Sequence, residues 1–339
     1  MTVREIAAVA GVSPAAVSLV LNRKKGVSEA TRRKVQEVVD AVGYTARVKT
    51  PRTDNRRLMV IKFHTHGVTE ENQGFIAALI DRIEGECRQH DYEMVLNRCK
   101  ADEAEITIRS LLQNPPLGVI LIGTVLQEEH YHYLRLFSGI PTVVLDNDVH
   151  YGQVDSVVMS NVSIAMDATQ YLQELGHREI GYFRFALPIH NCQDRYRGYL
   201  AAMEKAGLPV PEPVPLSPTL NGAYEDMKKL LAEGKYVPRG AAVADNDSIA
   251  IGAVKAILEA GYRIPEDLSI IGVDDIPYSA VMMPPLTTMR VSRKSLGTLA
   301  VDLLMERLRH PEWPPMHIKV DGRLVIRSST ASAEGGDAP

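Results

Sequence analysis

Charged and amide side chains directly follow several short apolar segments of the chain. If those segments are parallel strands, their carboxyl ends meet at one edge of a sheet and these residues converge on a ligand-binding cleft. Carboxylates, amides and guanidinium groups in a cleft bind the hydroxyl groups of a polar ligand. An Asp at a strand end also serves as the N-cap of a following helix, so both interpretations stay open for Asp247 and Asp275. The residues in these positions are His64, His66, Asp146, Asn246, Asp247, Asp274 and Asp275.

The sequence lacks the motifs that hold phosphate groups, catalytic zinc or a nucleophilic serine. None of G-x-G-x-x-G, G-x-x-x-x-G-K-[ST], H-E-x-x-H and G-x-S-x-G occurs. His64 and His66 have no third metal ligand nearby, which favours pocket lining over a metal site or a pH sensor. The sequence therefore predicts a protein that is not an enzyme and that carries no cofactor and no metal.

Short apolar segments rich in β-formers alternate with longer amphipathic helical patterns from Leu58 onward. Continuous apolar strands separated by helices are typical of parallel, doubly wound sheets that are buried on both faces. Because the alternation repeats many times, the fold class is α/β with two such lobes. Strands are expected at Leu58–Phe63, Tyr92–Leu96, Leu117–Ile122, Thr142–Leu145, Ile180–Phe185, Ala241–Ala244 and Leu268–Ile271, and helices at Gly74–His90, Asn161–Leu175, Gln193–Ala206 and Ile249–Ala260.

Positive charge is concentrated at the start of the chain. Residues 1–57 contain 12 Lys and Arg against 5 Asp and Glu, whereas residues 58–339 contain 26 against 37. The net charge of −4 therefore combines a basic segment of +7 with an acidic body of −11. Such asymmetry is typical of a nucleic-acid-binding segment, although a solvated helical face has the same composition.

The basic segment has the pattern of three short helices. Thr2 and Glu5 have capping-box spacing, and a glycine ends the helix that they open. Ser13 as N-cap and Pro14 at the first helical position begin a second helix after a two-residue turn, which is typical of a helix-turn-helix that reads the major groove. A third helix begins at the N-cap Ser28. The inward residues are expected to be Ile6, Val9, Ala10, Val17, Val20, Leu21, Val35, Val38, Val39 and Val42.

Residues 2–44, TVREIAAVAGVSPAAVSLVLNRKKGVSEATRRKVQEVVDAVGY, resemble the DNA-binding head of the lactose-repressor (LacI) family almost element by element. The motifs VADNDSIAIGAVKAILEAGYRIPEDLSIIGVDDIPYS, PPLTTMRV and LVIRSST resemble the same family's ligand-binding core, which looks like the two-lobed periplasmic sugar-binding proteins. The resemblance implies a transcription regulator, by default a repressor, that forms a homodimer and binds a near-palindromic operator. The first residues lack the pattern of a signal peptide, so a cytoplasmic protein is expected.

The resemblance also implies which residues contact DNA. Because the three residues that would face base edges are apolar, base discrimination would rest on thymine methyl groups and on DNA shape. A cationic cluster that begins at Arg23 can neutralise phosphates. Residues implied to contact the DNA backbone are Thr2, Ser13, Ser18 and Asn22, and those implied to face base edges are Pro14, Ala15 and Leu19.

For the effector, the resemblance implies contacts from Arg195 in the DRYRGY motif, from Asn246 and from Asp274, with Asp146 as a less close match. His64 is added because it follows a strand. A sugar fits these groups, and an aromatic side chain would give it a stacking face. The candidates for that face are Phe63, Tyr196 and Tyr278.

The expected domains are a helix-turn-helix head at 1–46, a linker at 47–57, a two-lobed core for ligand binding and dimerisation at 58–330, and a disordered tail at 331–339. The linker has an atypical sequence, because it lacks the family's Asn-x-x-Ala-Arg-x-Leu hinge run and contains Pro51. A helix bearing Phe75, Ile76, Leu79 and Ile83 is the candidate for pairing two subunits.

Two functions stay open. The first is a DNA-binding regulator controlled by a small polar effector that binds between the lobes. The second is a cytoplasmic small-molecule-binding protein whose head no longer distinguishes DNA sequences, which the apolar recognition positions and the missing hinge run would explain. The three cysteines, Cys87, Cys99 and Cys192, have no metal-ligand spacing and are expected to be reduced.

Overall fold

The structure is a computed structural model. It describes residues 3–21, 27–41, 56–65, 74–152, 154–187 and 189–333. The chain divides into two compact units, the head at residues 1–54 and the core at residues 55–339. Among the described residues, no helix has the length and apolar character needed to cross a membrane.

The head consists of three helices around a small aliphatic core. The helices are α1 (Val3–Ala10), α2 (Pro14–Leu21) and α3 (Glu29–Ala41). The predicted N-caps are confirmed, because the Oγ atoms of Ser13 and Ser28 accept hydrogen bonds from backbone amides three residues on, each at 3.2 Å. The buried side chains are Ile6, Ala7, Ala10, Val17, Val20, Val35 and Val39.

One expected inward residue of the head is wrong. Val9 is 64% exposed, because the inward face of α1 is formed by Ile6, Ala7 and Ala10 and position 9 lies on the opposite side. Gly11 then adopts a φ of 63°, which a glycine reaches without strain, and this turns the chain from α1 into α2. The side chain of Leu21, as well as Val42, lies outside the described residues.

The first lobe of the core is a six-stranded sheet with helices on both faces. Its strands are β1 (Arg57–His64), β2 (Glu93–Lys100), β3 (Gly118–Ile122), β4 (Thr142–Leu145), β5 (Asp155–Met159) and β11 (His317–Val320). Its helices are α4 (Phe75–Gln89), α5 (Ala104–Leu111), α11 (Arg293–Arg309) and the 3₁₀ segments Ala101–Glu103 and Glu128–Phe137. The strand order is β11-β5-β4-β3-β1-β2, and all pairs are parallel.

The second lobe repeats this architecture. Its strands are β6 (Ile180–Phe185), β7 (Val214–Leu216), β8 (Ala241–Ala244), β9 (Ser269–Asp274), β10 (Thr287–Arg290) and β12 (Arg323–Val325). Its helices are α6 (Asn161–Glu174), α7 (His190–Lys205), α8 (Leu220–Ala232), α9 (Asp247–Glu259) and α10 (Pro277–Val281). The strand order is β12-β10-β9-β8-β6-β7, and only β12 is antiparallel to its neighbour.

The predicted pair of doubly wound lobes is confirmed. All seven predicted strands exist, and the strands at Thr142–Leu145, Ile180–Phe185 and Ala241–Ala244 have the predicted bounds. Five further strands, β5, β7, β10, β11 and β12, escaped sequence reasoning. The chain crosses between the lobes from β5 to α6, from β10 to α11 and from β11 to β12.

Three of the four residues that were expected to pair two subunits are buried, whereas Ile76 is partly buried, and pairing through this helix stays a prediction. Phe75, Leu79 and Ile83 are buried within a single chain, because α4 packs its apolar face against the first sheet and α11. These side chains are therefore not free to meet a second subunit.

The two ends of the core extend beyond the predicted boundaries. Strand β1 already includes Arg57, and most of the expected linker lies outside the described residues. At the other end, Ala331 accepts a hydrogen bond from His177 Nε2 at 2.9 Å, and the Ala333 amide donates one to the Leu175 carbonyl at 2.8 Å. Residues 331–333 therefore belong to the core and not to a disordered tail, and residues 334–339 lie outside the described residues.

Candidate functional site

The carboxyl ends of strands from both sheets face a cleft between the two lobes of the core. The cleft has a volume of about 730 Å³, including the space at its mouth. Its wall is mostly apolar with a few convergent polar groups, which is the usual composition of a small-molecule site. The polar groups used below are Thr124, Asp146, Asn191, Arg195, Asn246 and Asp274, and the apolar ones include Phe63, Phe75, Ile76, Met159 and Phe185.

Among the described residues, Arg195 is the only arginine that lines this cleft, and it is held in place by hydrogen bonds. Helix α7 carries it, and Gly198 on the same helix lets α6 approach so closely that a Cβ there would overlap the Val162 carbonyl. The Arg195 Nε atom donates to Asn161 Oδ1 at 2.9 Å, and its guanidinium also donates to the backbone carbonyl of Asp245. Arg195 is only 5% exposed, and these hydrogen bonds fix the orientation of its buried guanidinium.

Asp274 closes strand β9 in the second lobe with a left-handed φ of 112°. Its carboxyl group is buried, and Oδ1 has no hydrogen-bond partner among the described residues. Burial raises the pKa of this carboxyl to about 6, although the positive charges of Arg195 and Arg293 oppose the shift. An unpaired buried oxygen is costly, so this atom is suited to accept a hydrogen bond from a ligand.

Asp146 is the corresponding residue of the first lobe. It follows β4 with a φ of 65°, and its carboxylate accepts hydrogen bonds from Thr124 Oγ1 at 2.6 Å and Asn191 Nδ2 at 3.0 Å. Burial raises the pKa of this carboxyl to about 6. Because Asn191 belongs to α7 of the second lobe, the hydrogen bond also joins the two lobes across the cleft.

The run from Asp245 to Asp247 combines support and ligand-facing groups. Asn246 lines the cleft and is the N-cap of α9, since its Oδ1 accepts from Ile249 N at 2.9 Å. Asp245 accepts from the Tyr182 hydroxyl and from Phe185 N, each at 2.5 Å. Burial raises the pKa of Asp245 to about 6. The Asn246 side chain can therefore present its amide Nδ2 to a ligand while its oxygen caps the helix.

Asp247 has a structural role in the second lobe. Its two oxygens accept hydrogen bonds from Ser279 Oγ at 2.5 Å, Thr288 Oγ1 at 2.6 Å and Ile276 N at 3.1 Å. Burial raises the pKa of this carboxyl to about 7, with the charge of Asp274 as the next cause. Asp275 likewise pairs with Arg290 and Arg327. Neither carboxylate is among the cleft-lining residues.

Four of the five predicted effector residues line the cleft: Asp146, Arg195, Asn246 and Asp274. His64 does not, because its Nδ1 lies 3.0 Å from the Cys99 carbonyl, and Lys62 and Phe63 of the same strand face the cleft instead. His66 lies outside the described residues. Sequence reasoning missed Asn161, Asn191 and Asp245, which fix Arg195 and Asp146.

The three candidate stacking residues differ in whether they line the cleft. Phe63 lines the cleft. Tyr196 packs against Tyr182 and Tyr199, with ring centroids 5.1 and 5.8 Å away, and Tyr278 is exposed. Neither tyrosine lines the cleft, whereas Phe75 and Phe185 do, so the aromatic surface differs from the expectation in two of its three members.

In the head, the predicted DNA contacts are only partly described. Ser13 and Pro14 are exposed at the start of α2, and Leu19 is half-buried on the same helix. Ala15 and Ser18 lie on α2, whereas Thr2, Asn22 and Arg23 lie outside the described residues. The start of α2 is thus an accessible helix end, as a recognition helix requires.

Two family models match the chain. The model of bacterial regulatory proteins of the lacI family matches residues 2–46, and the model of a periplasmic binding protein-like domain matches residues 169–330. The two matches fall on the head and on the core.

Proteins of known function match the chain along nearly its whole length. The ribose operon repressor of Escherichia coli (strain K12) is 30% identical over 335 residues, which cover 97% of this chain and 99% of the relative. The HTH-type transcriptional repressor PurR of Pasteurella multocida (strain Pm70) is 31% identical over 337 residues, which cover 98% and 99%.

Solved structures share the fold. A complex of the transcriptional regulator CelR with cellobiose has a TM-score of 0.70 at 26% identity and covers 97% of this chain and 99% of its own. The lac repressor dimer bound to operator and the anti-inducer ONPF has a TM-score of 0.72 at 22% identity and covers 98% and 99%, a likeness that shows the fold. With its helix-turn-helix head, its two-lobed core and repressors as full-length relatives, the chain belongs to the LacI family of bacterial transcription regulators.

Proposed function

We propose that this regulator represses transcription by binding operator DNA through its head, and that its cleft binds an uncharged, polyhydroxylated effector of the sugar class. The observation that carries the effector class is the unpartnered Asp274 Oδ1 in a cleft that also contains the Arg195 guanidinium. A ligand hydroxyl group can donate a hydrogen bond to Asp274 Oδ1 and accept one from the Arg195 guanidinium. Two acidic residues, Asp146 and Asp274, and two cationic residues, Lys62 and Arg195, line the cleft, so their charges balance and favour an uncharged ligand.

The relatives support a sugar. One is named for the ribose operon, and the CelR structure contains cellobiose. Within the cleft, the aromatic side chains Phe63, Phe75 and Phe185 offer faces on which the C–H groups of a sugar ring can pack. We assign the effector contacts to Asp146, Arg195, Asn246 and Asp274, and contact by His64 stays a prediction.

The effector acts by changing the equilibrium between lobe arrangements. Its contacts come from both lobes, since Asp146 belongs to the first and Arg195, Asn246 and Asp274 belong to the second. A ligand shifts such an equilibrium only by its differential affinity for the two states. In a homodimer, the lobe arrangement sets the spacing of the two heads and thereby the affinity for a near-palindromic operator.

We propose the same DNA contacts that the resemblance implies. Thr2, Ser13, Ser18 and Asn22 contact the backbone, Arg23 contacts a phosphate, and Pro14, Ala15 and Leu19 face the bases. The regulator acts in the cytoplasm and carries out no catalytic step. Its relatives are transcriptional repressors, which supports a binding role for the cleft.

The first test measures DNA binding by the full chain. Fluorescence anisotropy compares the region upstream of its own gene with a shuffled duplex of the same length over a range of salt concentrations. We expect the upstream region to bind about 10³-fold more tightly or better, with both affinities falling steeply as salt rises. Equal affinity for the two duplexes at every salt concentration would favour a head without sequence specificity and overturn the proposal.

The second test identifies the effector class. Thermal unfolding is followed with ribose, cellobiose, other sugars, sugar phosphates, nucleosides and amino acids, since a ligand bound only to the folded state raises the melting temperature. We expect a neutral sugar to raise it and to change operator affinity. A shift produced by a charged amino acid but by no sugar contradicts the effector class and leaves the DNA-binding proposal intact.

A further inference from the structure

A cluster of histidine and aspartate side chains lies beside the cleft and is not explained by effector binding. Asp148 and His150 occupy the segment after β4, and His317 is the first residue of β11 at the edge of the same sheet. One ligand atom from each of the three residues lies within 4.8 Å of the other two. His317 is far from Asp148 and His150 in the sequence, so no motif indicates the cluster.

The two imidazoles are oriented for ligation. His150 Nε2 lies 3.1 Å from Asp148 Oδ1, and the ring centroids of His150 and His317 are 4.1 Å apart. His317 Nδ1 lies 2.8 Å from Ser156 Oγ, which leaves Nε2 for a metal ion. A hydrogen bond to the second ring nitrogen is the usual support of a metal-binding histidine, because it fixes both the ring and the tautomer.

The donor set and the spacing fit a first-row transition metal. In a tetrahedral zinc site with bonds of about 2.0–2.1 Å, neighbouring ligand atoms are about 3.4 Å apart, so donors that lie within 4.8 Å of one another need to approach by about 1.4 Å or less. Two imidazoles with one carboxylate favour Zn²⁺ or its neighbours over Mg²⁺ and Ca²⁺, which prefer oxygen. The His150 side chain is 63% exposed, so solvent can supply the fourth ligand.

One neighbouring charge opposes the metal. Lys319 Nζ lies 2.7 Å from Asp148 Oδ2, the oxygen that does not face His150. The ammonium group of Lys319 contacts one carboxylate oxygen of Asp148 and leaves the other for a metal ion, and the Lys319 side chain is 53% exposed. Removal of this charge should therefore strengthen metal binding, an effect that a purely structural cluster would not produce.

We propose that Asp148, His150 and His317 form a binding site for Zn²⁺ or a similar divalent transition metal, and that this ion is a second ligand of the regulator. The site lies at the boundary of the lobes, because Asp148 also has His190 and Asp194 of the second lobe within 4.8 Å. An ion on Asp148 reduces the charge that this carboxylate presents to α7, the helix that carries Arg195.

Calorimetric titration of Zn²⁺ into the full, untagged and chelator-treated chain tests the proposal without any effector. We expect a Zn²⁺ site whose affinity falls about 100-fold or more in His150→Ala and in His317→Ala, since each loses a metal ligand. Lys319→Met should bind Zn²⁺ more tightly than the unchanged chain. Co²⁺ should give the visible absorption of a tetrahedral complex, and His150→Ala should lose it.

His310→Ala is the matched control. His310 is a half-exposed histidine with a carboxylate two residues on, Glu312, whose Oε1 lies 3.4 Å away, and it lies outside the cluster. This variant should bind Zn²⁺ like the unchanged chain. No Zn²⁺ binding by the unchanged chain, full affinity in His150→Ala, or a loss in His190→Ala in place of His150→Ala would each overturn the proposal. None of these outcomes affects the proposed sugar site.

Discussion

Each lobe places an aspartate at the cleft, but the two carboxyl groups differ in their hydrogen bonding. Each lobe ends a strand with an aspartate in a left-handed backbone conformation, Asp146 in the first lobe and Asp274 in the second. Both carboxylate oxygens of Asp146 accept hydrogen bonds from protein side chains, whereas Oδ1 of Asp274 has no partner among the described residues. The difference indicates that Asp146 mainly connects the lobes and that Asp274 is left for the ligand.

Asp247 sharpens this comparison because it is as deeply buried as Asp274 and lies in the same lobe. The two carboxylate oxygens of Asp247 accept hydrogen bonds from three protein donors, and Asp247 does not line the cleft. Burial raises the pKa of both carboxyls, so the shift alone does not distinguish a binding residue from a structural one. The unfilled hydrogen-bonding position makes that distinction.

Arg195→Ala should produce the largest effect. Burial raises the pKa of Asp146, Asp245 and Asp274, and the Arg195 guanidinium opposes this rise, so its removal leaves these buried carboxylates without a compensating charge. We expect the free energy of unfolding to fall by about 3–5 kcal/mol. Calorimetry should detect no effector binding, because both the charge and its fixed hydrogen bonds are lost.

Arg307→Ala is the matched control for this variant. Arg307 is also buried and forms two hydrogen bonds with Asp155, at 2.9 and 2.8 Å, but it lies on α11 of the first lobe away from the cleft. Its loss should destabilise the chain by a similar amount and leave effector affinity unchanged. Equal loss of effector affinity in both variants would show that Arg195 acts through stability alone.

Asp274→Asn should separate binding from stability. We expect effector affinity to fall about 10- to 100-fold, because the amide presents a different hydrogen-bond pattern to the ligand. The free energy of unfolding should not fall by more than about 1 kcal/mol, since no protein donor to Oδ1 is lost.

Asp247→Asn should show the opposite behaviour. Three hydrogen bonds depend on its carboxylate, so urea unfolding should reveal a loss of about 1–3 kcal/mol, while calorimetry gives unchanged effector affinity. If Asp274→Asn is the variant that loses stability and Asp247→Asn the one that loses affinity, the assignment of the two residues is reversed.

Sequence reasoning found the cleft residues that follow recognisable strands. Asp146, Asn246 and Asp274 were found because β4, β8 and β9 are short and continuously apolar. Asn161 follows β5 in the same manner but escaped, because β5 begins with Asp155 and Ser156 and does not resemble a buried strand. The burial of Asp155 depends on Arg307, a partner that is distant in the sequence.

The contacts of two further side chains, Asn191 and His64, could not be predicted from the sequence, because they depend on how the strands and lobes pack. Asn191 is an ordinary polar residue in the first turn of α7, and only the approach of the lobes brings it to Asp146. His64 has the right position in the chain, but its imidazole lies against the Cys99 carbonyl, and Lys62 and Phe63 of the same strand line the cleft. Such orientations depend on tertiary packing.

The pH dependence of stability should follow the buried carboxyls. Burial raises the pKa of Asp247 to about 7, against 3.8 for an unperturbed Asp, so between these values the folded state binds more protons than the unfolded state. The stabilising contribution of this proton is complete below pH 3.8 and is lost as the pH rises through 7. Urea unfolding of the effector-free chain should therefore show a falling free energy of unfolding between pH 6.5 and 8.

Asp247→Asn provides the control for this measurement, because it should flatten the decline. Burial also lowers the pKa of His130, His177 and His317, so at these residues the unfolded state binds more protons, and their contribution to the free energy of unfolding rises with pH near and below 6.5. The measurement starts at pH 6.5 to reduce this opposing contribution. A wild-type stability that rises from pH 6.5 to 8 contradicts the shifted carboxyl.

The smallest effects should separate the two donors to Asp146. Thr124→Val and Asn191→Ala each remove a hydrogen bond to this carboxylate, and each should lower the free energy of unfolding by about 1–2 kcal/mol. Only the second variant breaks a bond between the lobes, since Thr124 belongs to the first lobe like Asp146 itself.

Effector affinity should therefore respond to one variant and not to the other. Asn191→Ala changes the equilibrium between lobe arrangements, so calorimetry with the identified sugar should give a changed affinity, whereas Thr124→Val should bind it within about threefold of the unchanged chain. If both variants change affinity equally, the hydrogen bonds act by orienting the Asp146 carboxylate towards the ligand. Asp146 would then contribute to effector binding in the same way as Asp274, and the contrast between the lobes would not hold.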